Sequence, residues 1–215
     1  MSDETAPLLV LGTREFAVEI ADVAEQAGYH VAGFVENWER ERCAEQLEGR
    51  PVHWIDDVGE LAATHVAVCA LGTTRRSEFV AQAEERGLRF ATIVHPSAQV
   101  SGKSSVGEGS IVGVGSVVGA HTRLGRHVIV NRGCLVGHHT VVGDFASIMA
   151  GANVAGSCRI GEQTYVGMGA VVLDHVSIGS GSVVGAGAVV TRDVPDNVQV
   201  VGVPARVVKE EVRGL

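Results

Sequence analysis

The chain has 215 residues, 46% hydrophobic and 20% charged, a globular composition that excludes a disordered chain and leaves room for one large domain or two small ones. A formal charge of −8, with no cluster of Lys or Arg, argues against a nucleic-acid partner, and no run of about 18 apolar residues reads as a membrane span. Met1–Pro7 is polar and does not read as a secretory signal, and Cys43, Cys69, Cys134 and Cys158 form no CxxC pair, so reduced thiols in a cytoplasmic protein are expected.

Leu8–Leu11 is an apolar run stopped by Gly12, and Glu15–Ala27 then reads as a helix turning Phe16, Ile20, Val23 and Ala27 inward. Val31–Val35 is a second strand, ending at Glu36 and Asn37. Val66–Leu71 is a third, closed by Gly72. A helix over Ser77–Arg86 and a last strand, Phe90–Val94, bring the chain to His95-Pro96. Strands alternating with helices predict a small parallel sheet covered by helices, a Rossmann-like α/β subdomain over residues 1–95. Ligands collect at the carboxyl ends of such strands, here Gly12-Thr13-Arg14, Glu36-Asn37 and Gly72-Thr73-Thr74. An acidic residue about 20 positions after the first glycine is placed to accept ribose hydroxyls. Only Gly12 stands where G-x-G-x-x-G would be expected, so a nucleotide or nucleotide sugar is favoured over a full dinucleotide. A docking domain with an empty crevice is the alternative.

From Val100 every sixth residue through Val190 is aliphatic, sixteen positions of sixteen without an insertion. The next residue is glycine in ten of these hexads, and the fifth position is usually small, as at Ser110, Thr122, Thr140, Ala146 and Thr164. No α-helix has a period of six, and an amphipathic strand repeats every two residues. The pattern describes a coil of short parallel strands with glycine bends, a β-helix of hexapeptide repeats over residues 96–215. Three hexads close a triangular coil, so residues 18 apart stack in columns. His121, His139, Ser157 and His175 form one column at the fourth position. His138 lies one position earlier, in the column of Ala120, Gly156 and Asp174. Such a cluster reads as metal, catalysis or a solvated face.

Both halves together resemble the NeuD/PglD-type sugar acetyltransferases, which are hexapeptide-repeat acyltransferases. The resemblance rests on Leu9-Val10-Leu11-Gly12, His95-Pro96-Ser97-Ala98, Asn131-Arg132-Gly133-Cys134-Leu135-Val136-Gly137-His138, Gly151-Ala152-Asn153-Val154-Ala155-Gly156 and Val201-Gly202-Val203-Pro204-Ala205-Arg206. It implies a left-handed β-helix, with acetyl-CoA as co-substrate, no metal and a homotrimer with sites between subunits. It also implies transfer of an acetyl group to an amino group of a nucleotide-linked amino sugar, or alternatively to a hydroxyl of a sugar or sialic acid. His138 matches the general base and Asn131 lies in the same site. The Gly156 N–H is the candidate oxyanion donor, and cofactor contacts run near Ser147, Met168 and Ala186. Gly12, Thr13, Arg14, Glu36, Asn37 and Gly72 would hold the nucleotide sugar. The chemistry agrees, since a histidine titrating near neutrality can take the proton from an attacking amine or hydroxyl.

Two positions depart from that family's pattern. His139 stands where an acidic residue often follows the base, so another group orients His138 or the two histidines share the role. Arg14, Glu15 and Phe16 replace residues that are often Gly, Gly and His. A γ-class carbonic anhydrase would need two histidines five apart, and His121, His127, His138, His139 and His175 contain no such pair. Leu11-Gly12-Thr13-Arg14 echoes a sugar-nucleotide pyrophosphorylase loop, but too few residues precede the solenoid for that catalytic domain. A non-catalytic solenoid that binds a partner is the reading from another class.

Overall fold

A computed structural model describes residues 6–215; the rest of the polar opening segment, Met1–Thr5, lies outside the described residues. The chain divides into two compact units, one running through Gly72 and including Arg76–Val94, the other made of Thr73–Arg75 and His95–Leu215.

In the first unit, β1 (Leu8–Leu11) is wholly buried and lies at the centre of a six-stranded sheet. β2 (Val31–Glu36) and β4 (Arg50–Trp54) extend it on one side, and β5 (Val66–Cys69) and β6 (Arg89–Phe90) on the other. These five strands are parallel. β3 (Gln46–Leu47) is antiparallel to β4 at the edge. The strand order therefore reverses beside β1, which opens a crevice at its carboxyl end. α1 (Glu15–Gln26) packs on β1 and β2 and buries Ala17, Ile20, Ala21, Val23 and Ala24. Ile20 and Val23 are inward as expected, whereas Phe16 and Ala27 are half-buried. The small Ala17, Ala21 and Ala24 form the contact stripe, and Phe16 turns toward Gly72 instead.

The β3–β4 hairpin has no counterpart in the hydrophobic pattern. Its turn is Glu48-Gly49, both left-handed, at φ 50° and 71°. The expected strand at Phe90–Val94 divides into Arg89–Phe90 and Ile93–Val94. α2 spans Ser77–Glu85, after a short 3₁₀ turn at Thr74–Arg76.

In the second unit, two-residue strands pair in parallel with strands 18 residues later, for example Val112↔Val130↔Ile148↔Val166↔Val184. Three faces result. Face one contains Ile111–Val112 and Ser147–Ile148, face two Val117–Val118 and Leu135–Val136, and face three Arg123–Leu124 and Arg159–Ile160. The first-position aliphatics point inward and stack into a buried core. The last coil is two residues shorter, so Val184 pairs with Val200 and Ile178 bridges Val194. Gln199–Val201 then pairs antiparallel with Arg206–Lys209.

The glycine expectation is corrected in one respect. The bend falls at the fourth position, left-handed in every hexad from Gly109 to Gly187, with φ between 53° at His127 and 72° at Gly109. The second-position glycines are required by close approach of coils. A Cβ at Gly107 would lie 2.4 Å from the Gly125 carbonyl oxygen, and one at Gly137 would lie 2.5 Å from the Ala155 carbonyl carbon. The fifth position has a distinct task. The Thr140 hydroxyl donates to the Ala155 carbonyl at 3.0 Å and accepts from the Cys158 N–H at 3.2 Å. Ser110 and Ser116 repeat this relay. Cys134 and Cys158 occupy the same position, each thiol reaching a carbonyl on the next coil, at 3.2 Å and 3.1 Å. Burial pushes the Cys134 thiol up to about 11, so it remains protonated near neutrality.

The relay predicts that Thr140→Val, nearly isosteric, loses about 1–3 kcal/mol in denaturant titrations because it leaves a buried carbonyl and N–H unsatisfied, while Thr140→Ser loses much less.

Candidate functional site

At the carboxyl end of β1, Gly12 is left-handed at φ 118°, and a Cβ there would press on Leu71 and the Ala70 carbonyl at 3.3–3.4 Å. The adjoining Thr13 is buried and its hydroxyl donates to Glu36, also buried. The other Glu36 oxygen accepts the N–H groups of Asn37 at 2.9 Å, Trp38 at 2.7 Å and Glu39 at 3.3 Å. Burial pushes the Glu36 carboxyl up, but the Thr13 hydroxyl and these three N–H groups outweigh it and hold the group below its usual value. Glu36 therefore ties β1 to the turn after β2, and a ribose hydroxyl would have to compete for oxygens already in use. Arg14 donates to Glu39 at 2.7 Å, and Arg42 donates to the same carboxylate and to the Thr13 carbonyl. The Asn37 amide donates to Gln82 at 3.1 Å. Gly12, Thr13, Arg14, Glu36 and Asn37 are thus brought together, and Gly72 stands at the end of the β5 segment near Phe16. Thr73 and Thr74 belong to the second unit, where the Thr74 N–H donates to the Leu215 carbonyl at 2.8 Å.

The histidine cluster lies along the edge between faces two and three. His138 is clamped through its backbone: its carbonyl accepts from the Ser157 N–H at 2.8 Å, and a Cβ at Gly119 would meet its nitrogen at 2.7 Å. The exposed imidazole lies against Gly156, where a Cβ would come 2.7 Å from Cε1 and 2.9 Å from Nε2. Its Nδ1 is 3.0 Å from Nδ1 of His139, which stands at the left-handed corner with φ 56°. The His139 ring in turn lies beside His121, centroids 4.8 Å apart and tilted by 34°. His175 continues the column, 3.8 Å from Asp174. Among the described residues, no group of three or more His, Cys, Asp or Glu side chains is arranged to hold a metal ion.

The other expected site residues lie elsewhere. Asn131 follows the face-one strand Ile129–Val130, at the edge between faces one and two. It is buried, and its Oδ1 accepts the Arg132 N–H at 2.6 Å. Met168 and Ala186 share that edge, Met168 being 56% exposed. Every fourth position there is glycine, from Gly115 to Gly187, and none would bring a Cβ within 4 Å of another group. Within one chain this glycine edge and the histidine edge are separated by face two. Ser147, expected beside the cofactor, is fully buried on face one and offers nothing to a ligand at the surface. Hexad reading also passes over Arg123 and Arg159, two coils apart on face three, although their sixth-position register is visible in the sequence.

The bacterial transferase hexapeptide (six repeats) matches residues 139–174 and 157–192. No curated protein matches the chain. Among solved structures, the acetyltransferase domain of PglB from Neisseria gonorrhoeae FA1090 is 30% identical with a TM-score of 0.87, covering 95% of this chain and 100% of that one. The same domain in complex with acetyl coenzyme A gives a TM-score of 0.88. Perosamine N-acetyltransferase from Caulobacter crescentus, in complex with CoA and GDP-perosamine, is 29% identical with a TM-score of 0.88, covering 95% of this chain and 97% of that one. WeeI from Acinetobacter baumannii AYE shares the fold at 24% identity and a TM-score of 0.84, covering 95% of this chain and 100% of that one.

Two outcomes follow from this geometry. Gly156→Ala should displace the His138 ring, read as a change in its imidazole NMR shifts with the thermal unfolding profile retained. For Glu36, a lowered folded-state value means that its stabilisation is present above the usual carboxylate range and is lost as pH falls through the folded value. Glu36→Gln should therefore cost about 1–2 kcal/mol near neutral pH and flatten the acid limb of the stability–pH curve, measured by denaturant titration across pH 3–7.

Proposed function

Because the chain belongs to the NeuD/PglD-type sugar acetyltransferases, left-handed β-helix enzymes that draw on acetyl-CoA, we propose that it acetylates the amino group of a nucleotide-linked amino sugar, with His138 as general base. The observation that carries this reading is the His138 imidazole, exposed, fixed against Gly156 and bonded through Nδ1 to a second histidine. The choice of nitrogen over a hydroxyl leans on the likeness to perosamine N-acetyltransferase, and the nucleotide on the crevice at β1 and on that protein's GDP-perosamine complex.

In the proposed step, the acceptor amine attacks the thioester carbonyl while His138 Nε2 takes the proton that the forming C–N bond makes acidic. The C–S bond then breaks, and His138 returns the proton to the departing sulfur. Nε2 serves as a base only if Nδ1 carries the ring's hydrogen, so Nδ1–H donates to Nδ1 of His139, whose own hydrogen sits on Nε2. His139 thus takes the place of the usual carboxylate as a neutral acceptor. The Gly156 N–H is the candidate donor to the developing oxyanion.

We propose that the chain works as a homotrimer, a reading that the separation of the edges supports. His138 and Gly156 lie along one edge, Asn131, Met168 and Ala186 along another, and a head-to-tail contact between copies would bring the two sets together. Face two lies between the edges and presents apolar side chains, with Leu135 45% exposed and Val117 also exposed. Four free cysteines and use of acetyl-CoA fit a cytoplasmic setting, and no helix among the described residues is long and apolar enough to cross a membrane.

The test follows free-thiol release from acetyl-CoA with a panel of UDP-, GDP- and dTDP-amino sugars. Turnover with an amino sugar should fall about 10²- to 10⁴-fold in His138→Ala; unchanged turnover in that variant would remove His138 from the role. Sedimentation should give three times the chain mass for the wild type, and Leu135→Glu should yield monomers with little activity. A wild-type monomer that turns over at full rate would overturn the shared site.

A further inference from the structure

Face three carries a groove of about 610 Å³ alongside the histidine edge. His121, His139 and His175 line one side, and Arg123 and Arg159 rise from the face. Strand register puts Val141 directly between the two arginines, in the order Arg123↔Val141↔Arg159. With neighbouring strands about 4.8 Å apart, the two arginines start about 10 Å from each other, and the short Val141 leaves the space between them open.

In the first unit, Arg14, Arg42, Arg50 and Arg86 each meet a carboxylate, and in the second Arg126 meets Glu108. Among the described residues, no hydrogen bond or ion pair engages the guanidinium of Arg123 or Arg159, and no carboxylate lines the groove. The nearby acids lie at one end. Asp174 is 3.8 Å from His175, and Asp193 accepts the Ser177 N–H at 2.8 Å. In a chain of net charge −8, two unpaired guanidinium groups rising from one face on either side of Val141 form a local positive site.

We propose that this groove binds the pyrophosphate of a reactant, with one phosphate forked by Arg123 and the other by Arg159. Guanidinium presents paired N–H donors that match phosphate oxygens, and two such forks reaching inward from about 10 Å suit a linked pair of phosphates better than a single one. The neighbouring imidazoles add N–H donors along the same side. His139, which lines the groove, is bonded to His138, so a reactant anchored here by its pyrophosphate keeps its far end beside the base. This rests on the proposed function for its choice of ligand, because CoA and a nucleotide sugar each carry a pyrophosphate.

The test is calorimetric titration of the full chain with inorganic pyrophosphate, CoA, UDP and GDP, comparing the wild type with Arg123→Gln, Arg159→Gln and the double variant. Glutamine removes the charge and shortens the stem by one methylene at two exposed positions, and circular dichroism checks the fold. The wild type should bind pyrophosphate, and the double variant should bind it at least about tenfold more weakly, with a shallower salt dependence. An equal loss for CoA assigns the site to the acyl donor, and an equal loss for UDP or GDP assigns it to the acceptor. Absence of pyrophosphate binding in the wild type, or less than twofold loss for every ligand in the double variant, overturns the site. Binding is read without turnover: a protein that holds pyrophosphate through both arginines yet acetylates no nucleotide-linked amino sugar overturns the proposed acceptor and leaves this groove standing.

Discussion

The whole second unit depends on coils stacking in register at 18 residues per turn. Each hexad strand is two residues long, too short to be stable alone, and holds because its neighbours repeat it. Every recurrent feature serves that stacking. Aliphatics fill the column inside, glycines at the second position let backbones touch, and fifth-position hydroxyls and thiols pass a hydrogen bond between coils. The fourth position carries the corner of each coil. It requires a left-handed backbone, and at the histidine edge its side chains are exposed, where chemistry can be written without disturbing the stack.

The three corners use that freedom differently. One carries histidines, which tolerate left-handed φ better than most side chains. One is glycine throughout and leaves open space. The third stacks His127 on Phe145, centroids 5.0 Å apart. A prism therefore has edges of distinct chemistry on a common backbone. A residue's role is set by its number within the hexad and by which hexad of the coil it occupies.

Much of this was legible in the sequence because a period of six belongs to no helix and no simple strand. The 18-residue column of His121, His139 and His175 follows from the same count. What escaped depends on context that spacing does not carry. The second-position glycines read as bends because turn and close approach both select glycine. Glu36 stands where a ribose contact is expected, and spacing does not show that its oxygens also bind Thr13 and the following turn. Ser147 had a plausible register, but burial at a sixth position depends on what lies against that face. Arg123 and Arg159 became visible only when their lack of carboxylate partners could be seen. The β3–β4 hairpin hides in a charged stretch with few apolar residues, where two left-handed turn residues do the organising.

The antiparallel pairing of Gln199–Val201 with Arg206–Lys209 also has a consequence for solubility. A parallel solenoid ends in bare strand edges, and each edge is a template onto which another chain can grow. Here the chain doubles back on its own final strand, Lys209 ends the returning segment, and the acidic Glu210 and Glu211 follow it. The polypeptide therefore covers the final solenoid strand of face one itself, with an exposed edge strand whose Arg206 and Lys209 place charge where another chain would pair.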